Sequence, residues 1–313
     1  MRTQVAIVLG AVVVGLAVGV VFDPGDAAER VVLPALIALL VITFAGVRPT
    51  AWATAVGPHR RIAVASLVLN FGWAPIAALV LGATLLTDQP DLRIGLVMLL
   101  VTPCTDWYLV FTRIAGGNVP LAAALLPVNL VVQLALLPVY VSVLSGADAG
   151  VPLGDLVRDV LVVVGVPAVV VAVARLLADR SGRTAALELG VARLQPVAPV
   201  LLGVAVVGIF AAHATTVTDE AGAVVRVVIP VTVFFAVAFG LAAVAARRLG
   251  AAHPERVALT MSTMARNSPL ALAVAAATFP DRPLVIVALV IGPLLELPVL
   301  ALTAARLGRS APS

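Results

Sequence analysis

Val101-Thr102-Pro103-Cys104-Thr105-Asp106-Trp107 lies inside an apolar run from about 93 to 112. Ala265-Arg266-Asn267-Ser268-Pro269 lies inside another, from about 255 to 279. Each run is long enough to cross the hydrocarbon core of a bilayer as a helix. Each also carries a proline and a charge at its centre. Proline removes a backbone donor and clashes with the carbonyl four residues back. Pro103 is therefore expected to free the Leu99 carbonyl, and Pro269 the Ala265 carbonyl. Unwound backbone at membrane depth is tolerated where protein or a wet cavity satisfies it. A charged side chain there costs roughly 2.5–3.5 kcal/mol on insertion scales. Asp106, Arg266 and Glu296 all stand in such apolar runs, and ionisable residues so placed mark substrate or ion paths.

The rest of the chain has the same character. It has 313 residues, 62% of them hydrophobic and 12% charged. Ten spans are expected, at about 4–22, 31–47, 62–87, 93–112, 119–145, 156–178, 196–212, 223–246, 255–279 and 283–305. The longest polar stretch, about 179 to 193, reads as a loop, so no soluble domain is expected. The first run reads as a span rather than a cleaved leader, because no small-residue cleavage site follows it. All twenty basic residues are arginines. With the N-terminus inside, the inside loops hold fourteen of them (Arg60, Arg61 and Arg183 among these) and the outside loops five: Arg30, Arg93, Arg158, Arg226 and Arg282. The bias predicts a multi-pass protein of the cytoplasmic membrane with both termini in the cytoplasm. It also accounts for the high isoelectric point without a nucleic-acid partner.

The chain looks doubled. Helices 2 and 7 are both expected to be short and to open near proline, at Pro34 and at Pro196 and Pro199. Helices 4 and 9 are both broken. Helices 5 and 10 each carry a central proline followed by a polar residue, Pro127 with Asn129 and Pro293 with Glu296. Five spans per half put the halves in opposite orientation. The predicted fold is an all-α membrane protein of two inverted five-helix repeats, 1–150 and 151–313. Broken helices 4 and 9 cross at the midplane. Paired interruptions of this kind point to the binding site of a secondary transporter. A membrane sensor or scaffold would have no use for them.

The candidate substrate site is made of Cys104, Thr105, Asn129, Arg266, Asn267, Ser268 and Glu296. Asp106 and Arg266 flank the two breaks, and two roles are open to them. They form an ion pair joining the crossing helices, or Arg266 binds an anionic substrate. Arg holds its proton and cannot be the proton carrier. Desolvation favours the neutral form of a carboxyl, so Glu296 is the candidate for binding and releasing a coupling proton. Cys104 offers a thiol, a soft ligand suited to trivalent arsenic or antimony. A single cysteine excludes an intrachain disulfide and a cysteine-rich zinc site. No enzyme motif, resident metal or cofactor is expected. His59, His213 and His253 fall in loops or at span ends and read as solvated.

Several of these stretches resemble the bile-acid/sodium symporter superfamily of ten-span carriers. Phe111-Thr112-Arg113-Ile114-Ala115-Gly116-Gly117-Asn118-Val119-Pro120-Leu121 is similar to its segment after broken helix 4. Asn267-Ser268-Pro269-Leu270-Ala271 is similar to its helix 9 crossing. Within the superfamily the chain resembles the arsenite efflux permeases, through Ser66-Leu67-Val68-Leu69-Asn70 with Trp73 and Pro75, through Cys104, and through Leu295-Glu296-Leu297-Pro298-Val299. The resemblance implies efflux of arsenite or antimonite, with Cys104 and Glu296 as the residues tied to transport. A carrier of a small organic anion, held by Arg266, is the alternative. It also implies that the sodium-ligand positions of sodium-coupled members are here Tyr108, Leu109, Ser262 and Arg266. A fixed cation at Arg266 should repel Na⁺, which leaves protons as the coupling ion. The expected partners are thus a small metalloid or organic substrate, protons and the lipid bilayer.

Overall fold

In a computed structural model, the structure describes residues 2–46, 56–105, 108–146 and 149–309. Every regular element among them is helical. In chain order these are α1 (Arg2–Phe22), α2 (Asp26–Gly46), α3 (Arg60–Leu85), α4 (Pro90–Leu100), α5 (Tyr108–Ile114), α6 (Val119–Leu144), α7 (Leu153–Arg180) and α8 (Thr184–Ala212). They continue with α9 (Ala214–Asp219), α10 (Ala221–Arg226), α11 (Val228–Arg248), α12 (His253–Met264), α13 (Ser268–Thr278) and α14 (Pro283–Arg309). Among the described residues, α2, α3, α6, α7, α8, α11 and α14 are each long and apolar enough to cross a membrane, by length and composition. In hydrocarbon a helix satisfies every backbone donor within itself, which is why such runs adopt it.

Three expectations about the helices need correction. The stretch from 179 to 193 is not a loop: Thr184–Leu194 is a helix that runs through a 3₁₀ turn at Gln195–Val197 into Ala198–Ala212. Its first eleven residues bury nothing, so tertiary burial gave the sequence no apolar face to reveal. Helices 2 and 7 are therefore not short, because α2 begins earlier, at Asp26, with Asp26 and Glu29 in its first turn, where the helix dipole favours acids. Third, Pro269 does not sit at the centre of a break. It lies in the first turn of α13, where its missing N–H costs nothing.

The helices fall around two packing groups. α8 lies between α1 and α2, and α7 packs on α2. α14 packs on α4, α12 on α11 and α3, and α13 touches both α2 and α14. Small residues permit the close approaches that replace the hydrophobic effect within a membrane. At Gly95 of α4, an added Cβ would lie 2.6 Å from the Val285 carbonyl oxygen of α14. Polar ties close the two ends of the bundle. At one end His59 Nδ1 contacts Glu255 Oε1 at 2.6 Å, and Asn118 Nδ2 contacts His59 Nε2 at 3.1 Å. His253 Nε2 lies 3.2 Å from the Ala115 carbonyl. His59 and His253 are thus partly buried linkers rather than solvated side chains. At the other end Arg282 Nε donates to Asp91 at 3.0 Å and Nη1 to the Ala149 carbonyl at 2.7 Å.

Candidate functional site

The two breaks meet. Pro103 and Arg266 form an isolated antiparallel bridge. Cys104 N–H donates to the Ala265 carbonyl at 3.0 Å, and Asn267 N–H donates to the Thr102 carbonyl at 2.7 Å. The Ala265 carbonyl, expected to be released by Pro269, is thus taken by the opposite break. The Leu99 carbonyl, released by Pro103, accepts from Thr102 Oγ1 at 3.2 Å. Asn267 caps α13 through Oδ1, which accepts from Leu270 N–H, and its Nδ2 donates to Thr105 Oγ1 at 3.1 Å. The capping amide therefore also ties the restart of one broken helix to the other break.

Arg266 is 2% exposed. Its backbone N–H donates to Glu296 Oε1 at 3.0 Å. This brings the α14 carboxylate to the start of α13, where the dipole favours negative charge. The guanidinium turns elsewhere. Nη1 donates to the Leu100 carbonyl at 2.8 Å, and Nη2 to Asn70 Oδ1 at 2.7 Å and to the Thr263 carbonyl at 2.5 Å. Its Cζ stands 5.2 Å from the centre of the Phe234 ring. Asp106, the expected ion partner of Arg266, lies outside the described residues.

Cys104, Arg266, Ser268 and Glu296 line one small cavity with Leu202, Pro269, Pro293 and Leu297. Its volume is about 20 Å³, room for roughly one water. Ser268 Oγ is buried there with no hydrogen-bond partner among the described residues. Gly292 precedes the lining residue Pro293 and packs tightly: an added Cβ would collide with Leu99 Cδ1 and reach within 3.0 Å of Ser268 Oγ. Thr105 and Asn267 stand together beside this cavity's lining. Asn129 is not among the lining residues. It is buried on α6, and among the described residues neither polar atom of its side chain has a hydrogen-bond partner, nor do those of Gln133 one turn on. Of the other positions raised by the sequence, Tyr108 donates its hydroxyl proton to the Ala122 carbonyl at 2.6 Å, and Ser262 Oγ donates to the Leu259 carbonyl at 3.1 Å.

A larger cavity of about 430 Å³ lies further along the same three helices, α8, α13 and α14, and reaches α2. Asp26, Glu29, Arg30 and His213 line it with apolar residues that include Ala276 and Ile286. His213 follows the end of α8. Burial holds its imidazole below its ordinary range, while the Glu29 carboxylate pulls it the other way.

Sequence reasoning did not place Asn70, Ser66, Thr263 or Phe234 at the site. Asn70 lies in a π-helical turn, Leu69–Trp73, within α3. The available signals were a lone amide in an apolar span and the family resemblance of the stretch from Ser66 to Asn70. Its partner Ser66 Oγ lies 2.8 Å from Ser262 Oγ, tying α3 to α12.

The model of the Sodium Bile acid symporter family matches residues 30–220, which include the first break and precede the second. The arsenical-resistance protein Acr3 of Corynebacterium glutamicum is 26% identical to this chain over 246 residues. The match covers 75% of this chain and 66% of that protein, just under two thirds of the relative's length.

Proposed function

The chain belongs to the Sodium Bile acid symporter family, and from that premise we propose that it is a secondary transporter that exports arsenite or antimonite in exchange for protons. The observation that carries the reading is the meeting of Cys104, Ser268 and Glu296 in one cavity at the helix crossing. A thiol suits a trivalent metalloid. With one cysteine per chain, a single As–S bond is the most that can form. The thiol proton and one hydroxide of undissociated arsenite would then leave together as water. The unpaired Ser268 hydroxyl is available to a remaining hydroxyl of the substrate. Undissociated arsenite is neutral, so its export against a gradient needs a coupled charge, and Glu296 supplies it by taking and releasing a proton. Asn129, Thr105 and Asn267 act as polar lining once the site opens.

In this reading the chain has ten spans in two inverted repeats, 1–150 and 151–313, with both termini in the cytoplasm. The cavity as it stands is too small for arsenite. Leu202 is its one lining residue from α8. Alternating access therefore comes from α8, with α1 and α2, parting from α13 and α14, in the manner of one bundle rocking against another. The larger cavity along the same helices is the vestibule on the outer side. A carboxylate substrate held by Arg266 is less well supported, because the guanidinium is directed at protein oxygens.

The test is uptake by everted vesicles from cells lacking other arsenite exporters, with arsenite set against a panel of organic acids. Arsenite should accumulate when the lumen is acid, and Cys104→Ser should lose that accumulation while keeping its yield in the membrane. Full activity of the serine variant, or accumulation of an organic acid in place of arsenite, would contradict the reading.

A further inference from the structure

α4 ends at Leu100 and α12 at Met264. The last carbonyls of a helix have no partner within it and carry the negative end of its dipole. Leu100 O and Thr263 O are two such carbonyls, and one guanidinium takes both. They are matched positions. The bonds Cys104 N–H to Ala265 O and Asn267 N–H to Thr102 O exchange under a single shift along the chain, and the same shift carries Leu100 onto Thr263. Arg266 thus joins two equivalent helix ends at one point.

A third oxygen completes the arrangement. Asn70 Nδ2 donates to the Ser262 carbonyl at 3.1 Å, so Oδ1 is held facing the guanidinium. The Phe234 ring lies under the cation, and Trp73 stacks behind Phe234 with centroids 5.0 Å apart. An aromatic face attracts a cation through its quadrupole. Three oxygens from three helices and one ring therefore enclose a nearly fully buried positive group. This is the donor set of a cation cage, since half-helix C-termini and unwound carbonyls at such crossings hold monovalent ions.

We propose that the α4/α12 crossing is a monovalent-cation site whose permanent occupant is the tethered guanidinium of Arg266, and that the cage accepts a small free cation, guanidinium first, when the side chain is removed. The chain carries its own cation at the crossing and draws none from solution there. This binding claim does not depend on which substrate is exported.

The experiment uses the purified full chain as wild type, Arg266→Ala and Arg266→Gln. Thermal unfolding is followed while guanidinium, sodium or potassium chloride replaces choline chloride at constant ionic strength, over a millimolar range far below denaturing conditions. A ligand that binds only the folded state raises the melting temperature saturably. Arg266→Ala should melt below wild type and regain a few degrees with guanidinium, while wild type stays flat. Arg266→Gln, whose amide part-fills the cage, should respond less. If Arg266→Ala does not survive solubilisation, guanidinium present during extraction should recover a monodisperse species. A melting temperature in Arg266→Ala that is flat in all three cations, an equal response in wild type, or no recovery on extraction would each overturn the proposal.

Discussion

Glu296 and the guanidinium of Arg266 meet at one residue but face different surroundings. The carboxylate accepts the Arg266 backbone N–H, and the guanidinium is taken by Leu100, Thr263 and Asn70. Hydrogen bonds to a charged group are worth about 1.5–3 kcal/mol. A double-mutant cycle with Asn70→Ala and Arg266→Ala should return a coupling of about that size in unfolding free energy. Strictly additive losses would mean that the bond contributes nothing. Gly292→Val should also destabilise, by about 1–3 kcal/mol, because its side chain must displace Leu99. Unchanged melting would show that Leu99 can yield. Arg266 and Glu296 were legible from the sequence because a charge in hydrocarbon is costly and must be answered. Their partners were not. Asn70 lies 196 residues from Arg266 in the chain, and only folding around the π turn brings it there.

At the scale of elements, the two breaks have different causes. Pro103 lies within the bridge itself, whereas Pro269 sits in the first turn of α13. The second break is held open by the Asn267 cap, the bonds to Thr102 and Cys104, and the guanidinium. Pro269→Ala should therefore keep the fold, with a change within about 1 kcal/mol, since proline there mainly restricts the unfolded chain. A large loss of stability would show that the ring itself holds the break. Proline in an apolar run announced that these helices are interrupted, and its chemistry correctly named Leu99 and Ala265 as the carbonyls needing partners. It could not say that each break would satisfy the other. The helix at Thr184–Leu194 escaped notice for the opposite reason. It buries nothing, so its composition resembles that of a solvated loop.

For the molecule as a whole, the arginine bias predicts sidedness. Reporter fusions after Arg60 and after Arg183 should read cytoplasmic, and fusions near Asp148 should not. An outside signal at Arg183 would remove the inverted arrangement of the halves, and with it the assignment of the larger cavity to the outer face. Under the proposed function the small cavity between α8, the start of α13 and the middle of α14 is the closed site, and transport would be the cycle that opens it to each side in turn. That cycle needs a mobile charge. In the proposed cycle Arg266 stays fixed, so the mobile charge is assigned to a proton on Glu296 and not to sodium. The most direct test is arsenite uptake into proteoliposomes with either a pH gradient or a sodium gradient imposed, for wild type and Glu296→Gln. Glutamine imitates the protonated carboxyl permanently. The account predicts that wild type follows the pH gradient and ignores sodium, and that Glu296→Gln still binds arsenite but loses proton-driven net transport. Sodium-dependent uptake by the wild type, or a Glu296→Gln carrier that still follows the pH gradient, would contradict it.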